Sequence, residues 1–283
     1  MAPLHERLAD ARKRFVRAGI GQDEAALDAE VLARHVLACD RATLLIRARD
    51  PLPSAFDRLF EALVARRVAR EPVAYIIGHR EFWGLEFEVT PAVLIPRPET
   101  ELIVEEALAA LPARDAAGRI IDVGTGSGCL AVALAIEFSS ATVIATDSSA
   151  AALEVAQRNC SRHYVTNRIS LVHADLLDGI AGSANLIVSN PPYLREADAP
   201  HVQPEVVRYE PPSALFAGAD GLDVVRRLFH EAPAHMAHDG RLIVEFGLGQ
   251  DADLRAAARA AGWTVDHIRN DLQNIPRVAI LRR

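Results

Sequence analysis

Apolar positions in the first quarter of the chain recur with a helical period. Phe56, Leu59, Phe60 and Leu63 stand at i, i+3, i+4 and i+7, which predicts a helix with one buried stripe, capped by Ser54 with Asp57 three residues on. Asp23 is placed to cap a second helix carrying Leu27, Val31, Leu32 and Val36. Gly19, Gly21, Pro51 and Pro53 break this stretch into short helices, so a small helical bundle is predicted up to residue 72. The rhythm then changes. Leu85, Phe87 and Val89 alternate at period two, with Gly84 near the turn of a β-hairpin. Ile95-Pro96-Arg97-Pro98 is incompatible with a helix interior, while Pro98 suits the first position of a helix over 99–111. From Arg119 onward strand, turn and helix repeat, with strands predicted over 120–123, 142–146, 169–172, 186–189 and 242–246 and a tail adding 263–268 and 278–281. Alternation of this kind implies an α/β fold with a doubly wound, mostly parallel sheet. The expected divisions are a helical domain over 1–72, a β-hairpin linker over 73–97 and an α/β domain over 98–283.

Composition narrows the class. Of 283 residues 50% are hydrophobic, enough for a sizeable core, and the net charge of −7 argues against a surface that binds nucleic acid throughout. Cys39, Cys129 and Cys160 are scattered and form no CxxC pair, and the ten histidines show no metal-ligand spacing, so neither a disulfide framework nor a metal site is expected. A reducing cytosol fits this cysteine usage. Residues 1–15 alternate charged and apolar positions, unlike a secretory signal, and no stretch resembles a charge-free membrane span.

Two turns carry the chemistry. The first is Asp122-Val123-Gly124-Thr125-Gly126-Ser127-Gly128, a strand end followed by a glycine-rich turn and a helix. Glycines permit positive φ and close approach of a ligand, and the helix start beyond presents free N–H groups. A P-loop would need a lysine here, and the dinucleotide fingerprint would need a glycine at Cys129. The D-x-G-x-G-x-G spacing resembles the first motif of the Rossmann-like S-adenosylmethionine methyltransferases, in which the turn receives the amino-acid part of the cofactor. Asp147, at the end of the next strand, is placed to accept hydrogen bonds from two ribose hydroxyls. Asp122 can equally be a structural group that orients the turn. By the same resemblance Asp175 and Leu176 fall in the region that touches adenine, against plainer readings as a loop acid and a packing residue.

The second turn is Asn190-Pro191-Pro192-Tyr193, at the end of the fourth strand. Consecutive prolines stop both helix and sheet and stiffen the backbone. The side-chain carbonyl of Asn190 and the main-chain carbonyl of Pro191 then form two rigid acceptors for both hydrogens of an –NH₂ group, and Tyr193 offers a flat face. Such chemistry suits a planar nitrogen whose lone pair is delocalised, on the scale of the roughly 18–20 kcal/mol amide rotation barrier. Holding both hydrogens on fixed acceptors favours a more pyramidal nitrogen with its lone pair aimed at a methyl donor. Asn-Pro-Pro-Tyr is shared by adenine, RNA guanine and protein glutamine methyltransferases, so the motif sets the nitrogen type and leaves the substrate open.

Nearly the full length resembles the peptide chain release factor glutamine-N5 methyltransferase family (PrmC/HemK). The matching stretches are Asp28 to Leu32 with Leu44-Leu45, Arg70 to Gly78, Phe82-Trp83, Leu94 to Glu101, Asp122 to Gly128, Ser189 to Tyr193 and Asn274 to Val278. Ile95-Pro96-Arg97-Pro98-Glu99-Thr100-Glu101 is the most specific, because the related family acting on a ribosomal protein differs there. The resemblance implies a Rossmann-like class I methyltransferase of the cytoplasm that uses S-adenosyl-L-methionine, with release factors as protein substrates and no direct nucleic-acid or membrane partner. It places catalysis and substrate binding at Asn190, Pro191, Pro192 and Tyr193. It places the cofactor at Gly124, Thr125, Gly126, Ser127, Gly128, Asp147, Asp175, Leu176 and Asn190, and gives the helical domain the task of recognising the release factor. Arg97 reads either as a substrate contact or as the partner of a carboxylate. Phe82 and Trp83 read as packing residues, and Arg66, Arg67 and Arg70 as a solvated helix face.

Overall fold

The computed structural model describes residues 3–46, 49–115 and 117–283; residues 1, 2, 47 and 48 of the expected helical segment lie outside them. In chain order the helices α1 (Leu4–Arg17), α2 (Gln22–Leu37), α3 (Arg41–Ile46), α4 (Phe56–Val68) and α5 (Val73–Ile77) come first. The hairpin strands β1 (His79–Phe82) and β2 (Leu85–Glu88) precede a 3₁₀ turn, Pro98–Thr100, that runs into α6 (Glu101–Ala110). Then follow β3 (Arg119–Val123), α7 (Cys129–Glu137), β4 (Thr142–Asp147), α8 (Ala150–Arg162), β5 (Ile169–His173) and β6 (Ala184–Ser189). The chain ends with α9 (Pro204–Tyr209), α10 (Asp223–Glu231), β7 (Met236–Glu245), α11 (Asp251–Ala260), β8 (Thr264–Asn270) and β9 (Pro276–Arg282). Two compact units result: residues 1–78 with 203–209, and residues 79–202 with 210–283.

The larger unit holds a seven-stranded sheet in the order β5-β4-β3-β6-β7-β9-β8. Strands β5 to β7 pair in parallel, and β9 runs antiparallel to both β7 and β8. Alternate residues of the central strands serve two cores, so both faces are covered. Ile120, Leu186, Val188 and Ile243 pack with α6 and α7, while Ile121, Ile187, Leu242 and Val244 pack with α10 and α11. Helix α7 is buried continuously from Cys129 to Ala135, as its nearly unbroken apolar sequence requires. The hairpin turns on Trp83 and Gly84, both left-handed (φ 54° and 68°), which matches the twist of the strands it joins. Phe82 and Phe87 are buried in the first core and Trp83 packs against it, its indole N–H donating to Glu137 at 2.8 Å.

The smaller unit has its own core, built on Phe15, Leu32, Phe56, Phe60 and Val64. The helical stripe runs true at Phe56 and Phe60, but Leu59 and Leu27 are exposed. Neither expected cap forms. Ala55 holds the cap position of α4, and the Phe56 N–H is already satisfied by the Pro53 carbonyl at 2.9 Å. Gly21 holds that of α2, leaving Asp23 in the first turn, where its charge still favours the helix dipole.

Of the three arginines expected on a solvated face, Arg66 is exposed, but Arg67 on α4 and Arg70 just beyond its end are not. Arg67 is 1% exposed, and its guanidinium donates to Asp28 at 2.6 Å and to Glu24 and Glu205 at 2.9 Å. Arg70 meets the other oxygen of Glu205 at 2.5 Å, and Arg66 holds Glu71 and the carbonyls of Tyr75 and Ile76. Three acids, one of them from α9 far along the chain, converge on a charge that burial would otherwise make costly. Removing the cation leaves buried carboxylates uncompensated, so Arg67→Ala should destabilise this unit by about 3–5 kcal/mol. Denaturant unfolding of the full chain followed by circular dichroism checks this; an unchanged midpoint contradicts the account.

Candidate active site

The site is built on one rung of the sheet. Val123 pairs with Thr146 on one side and Ser189 on the other, and Ser189 pairs with Val244. All four strands run the same way, so Asp147, Gly124, Asn190 and Glu245 follow side by side at their carboxyl ends. The chain builds outward from β3 in both directions, which makes the gap between β3 and β6 the switch point where such sheets bind ligands. The Ser189 hydroxyl donates to the Val123 carbonyl at 2.8 Å and ties the two strand ends together.

At the end of β3 the Gly124 and Thr125 N–H groups both donate to the Thr146 carbonyl at 2.9 Å, which folds the turn back against β4. Gly128 adopts φ 80° as the residue before α7, a conformation that favours glycine, and a Cβ there would crowd that of Ala156 at 3.2 Å where α7 passes α8. Asp122 is fully buried and accepts from the Thr125 hydroxyl at 2.6 Å and the Ala131 N–H at 3.1 Å. It therefore clasps the turn to the first residues of α7, the orienting role. Burial pushes its carboxyl up to about 7, against the pull of those two hydrogen bonds, and the nearby charge of Asp147 adds to the rise. Asp147 accepts from the Gly126 and Ser149 N–H groups, each at 2.9 Å, and burial also raises its pKa.

A cavity of about 210 Å³ opens over this edge. Gly124, Thr125, Gly126, Ser127, Asp147, Asp175 and Leu176 line it together with Asn190, Pro191 and Pro192. Gly128 sits behind the turn against Ala156. Asp175 is exposed and paired with Arg227 at 2.9 Å, and Leu176, held at φ 51°, packs against the second core. Two other sequence candidates are engaged elsewhere. The Arg97 guanidinium meets Glu210 at 2.5 Å, whose second oxygen accepts the Ile95 N–H at 3.1 Å, so this arginine braces the proline-rich segment. Tyr193 directs its hydroxyl to Glu245 at 3.4 Å, and burial beside that acid raises its pKa, which removes it as a proton acceptor near neutrality.

Three polar residues around the Asn190 turn were not singled out from sequence. The Asn190 Nδ2 donates to the Thr100 hydroxyl at 2.9 Å, and that hydroxyl donates to Glu245 at 2.7 Å. Gln250 accepts the Gly247 N–H at 2.8 Å and donates to the Tyr193 carbonyl at 2.9 Å, which holds the far end of the turn. Thr100 lies inside the distinctive 95–101 segment, and Glu245 is an acid closing an apolar strand, as Asp147 is. Those were the available signals. Among the described residues no group of His, Cys, Asp or Glu is placed to hold a metal ion, and no helix is long and apolar enough to cross a membrane.

Residues 100–209 match the family described as the methyltransferase small domain, and residues 6–78 match the PrmC N-terminal domain. With this sheet and cavity, the larger unit is that of a Rossmann-like methyltransferase. The fold is shared with the N-terminal domain of human METTL16 in complex with SAH (TM-score 0.51, 18% identity, 78% of this chain and 83% of that one). Two relatives called release factor glutamine methyltransferase are closer in sequence. That of Xylella fastidiosa is 44% identical over 90% of this chain and 92% of its own, and that of Cereibacter sphaeroides is 41% identical over 98% of each. The chain belongs to the release factor glutamine methyltransferase family.

Burial also pushes Glu245 up to about 7, with Glu99 adding to the rise and the Thr100 hydrogen bond and Arg277 opposing it. A carboxyl that binds its proton more tightly when folded stabilises the fold fully below its unfolded pKa and loses that contribution as pH rises through its folded one. Glu245→Gln removes the effect. The stability of that variant relative to wild type should therefore rise by about 3 kcal/mol between pH 4 and pH 8. Urea unfolding across that range measures it, and parallel curves for the two proteins contradict the account.

Proposed function

We propose that the cavity binds S-adenosyl-L-methionine and that the enzyme transfers its methyl group to the side-chain amide N5 of the glutamine in the Gly-Gly-Gln motif of peptide chain release factors. The observation that carries this is the Val123–Ser189 pairing, which sets the glycine turn and the Asn190 turn at the mouth of one cavity. The residues present fit the cofactor. Backbone N–H groups at the start of α7 suit its carboxylate, and each Asp147 oxygen keeps a lone pair beyond its backbone bond for a ribose hydroxyl. Asp175 and Leu176 stand at the adenine end, and family membership supports the same assignment. When bound, S-adenosylmethionine supplies an electrophilic methyl on a sulfonium.

The chain's own task is to present the amide. Asn190 Oδ1 and the Pro191 carbonyl accept the two N–H hydrogens and turn the nitrogen lone pair out of conjugation, toward the methyl. Pro192 keeps the turn from relaxing. Orientation of this kind is worth about 7–11 kcal/mol in well-aligned systems, so no strong base is needed before attack. The carbon–nitrogen bond would form as the methyl–sulfur bond breaks with its electron pair staying on sulfur, and the amide proton would pass to water. The helical domain over 1–72 recognises the release factor, the hairpin segment 73–97 links it on, and residues 98–283 carry out the transfer. Such work belongs in the cytoplasm, where release factors act.

Asn190→Ala should lower kcat by about 10²–10³-fold while cofactor affinity changes far less. Asp147→Ala should weaken cofactor binding by about 10–100-fold, through lost hydrogen bonds to an ionised acceptor. Turnover assays and calorimetry separate the two; near-normal turnover by the first variant, or unchanged affinity in the second, contradicts the assigned roles. Transfer of labelled methyl to purified release factor, and its loss when the loop glutamine is replaced, tests the function itself. Label on tRNA or DNA instead overturns it.

A further inference from the structure

We propose that Thr100 and Glu245 form a hydrogen-bond relay that sets which end of the Asn190 side-chain amide faces the cavity, and that both are positioning residues for the methyl transfer. The inference rests on the function proposed above, because an acceptor is required at Asn190 only if an –NH₂ group is to be held there.

A side-chain amide has two orientations of nearly the same shape, related by a half-turn. Packing discriminates poorly between them, whereas hydrogen bonding does so sharply. Thr100 has one hydroxyl hydrogen and gives it to Glu245 at 2.7 Å. Toward Asn190 it can then only accept, and it accepts from Nδ2 at 2.9 Å. The planar amide therefore carries Oδ1 on the opposite side, as a free acceptor is needed for both members of the substrate pair to be complementary. The three residues come from different elements. Thr100 ends the 3₁₀ turn before α6, Asn190 follows β6, and Glu245 closes β7 next to it across the sheet.

The relay has a polarity that depends on one proton. An ionised Glu245 can only accept, which forces the arrangement above. A protonated Glu245 can donate to the Thr100 oxygen, which frees the threonine hydrogen to donate to Asn190 Oδ1. The amide then turns, and Nδ2 meets the substrate N–H groups donor to donor. No proton crosses to the substrate in either state. The groups facing Glu245 are Glu99 and Thr100 from the 3₁₀ turn, Tyr193 after β6 and Arg277 on β9, itself paired with Asp271 at 3.0 Å. The acid is 1% exposed, and its proton is released near pH 7.

The test uses the full chain, labelled S-adenosylmethionine and purified release factor, with kcat, KM and cofactor affinity followed from pH 6 to pH 9. In wild type, kcat should fall on the acid side with a midpoint near pH 7. Thr100→Val keeps the shape and removes the relay; kcat should drop about tenfold or more and lose that acid limb, with cofactor affinity unchanged. Thr100→Ser restores the hydroxyl and should restore both rate and limb. Glu245→Gln should flatten the limb, which separates its proton from that of Asp122, whose titration acts on the glycine turn and so on cofactor affinity. Wild-type kcat in Thr100→Val, or an intact acid limb in Glu245→Gln, overturns the relay. A second readout is independent of the methyl acceptor. The Asn190 side-chain ¹⁵N–¹H₂ resonances, identified by their loss in Asn190→Ala, should shift with a midpoint near pH 7 in wild type and stay constant in Glu245→Gln. If wild type methylates no release factor, the function proposed above fails while this titration still decides the relay, and resonances that do not move sink it.

Discussion

Everything at the active edge depends on strand register. The rung Thr146–Val123–Ser189–Val244 fixes where four parallel strands end, and the next residue of each, Asp147, Gly124, Asn190 and Glu245, stands in line along that edge. A slip of one residue would send every strand side chain to the opposite face and break this line. The two apolar cores prevent it, because Ile120 and Ile121, or Leu242 and Ile243, belong to opposite faces. The precision of the polar site is thus inherited from hydrophobic alternation in the middle of the sheet.

Holding polar groups at that edge has a cost. Asp122 and Glu245 lie almost wholly inside the protein, and burial opposes their charged forms. What the acids provide is direction: Asp122 ties the glycine turn to the first residues of α7, and Glu245 accepts from Thr100, which in turn accepts from Asn190. The helical unit shows the same trade in another form, where Arg67 is accepted in the interior because three acids close around it.

What was legible in the sequence follows from how local each requirement is. A glycine turn between strand and helix, and an Asn-Pro-Pro-Tyr turn after an apolar strand, declare themselves within a few residues because backbone conformation demands those types. The strand rhythm was legible for the same reason, as was the packing of Phe82 and Trp83. Partnerships across the chain were not. Thr100 and Glu245 are 145 residues apart, and Arg67 and Glu205 are 138 apart, so no window of sequence joins them. Arg66 lies on a solvated face as the charge pattern suggests, but Arg67 does not, because charge alone does not reveal that acids will converge on it. The expected caps at Ser54 and Asp23 failed because the Pro53 and Gly21 backbones had already taken their place.

The most direct measurement is a crystal structure of the chain with S-adenosylhomocysteine and a Gly-Gly-Gln peptide. The glutamine amide nitrogen should lie about 2.7–3.2 Å from both Asn190 Oδ1 and the Pro191 carbonyl, with the sulfur facing it and the ribose on Asp147. A peptide bound with Asn190 presenting Nδ2, or with its amide away from this turn, contradicts the account.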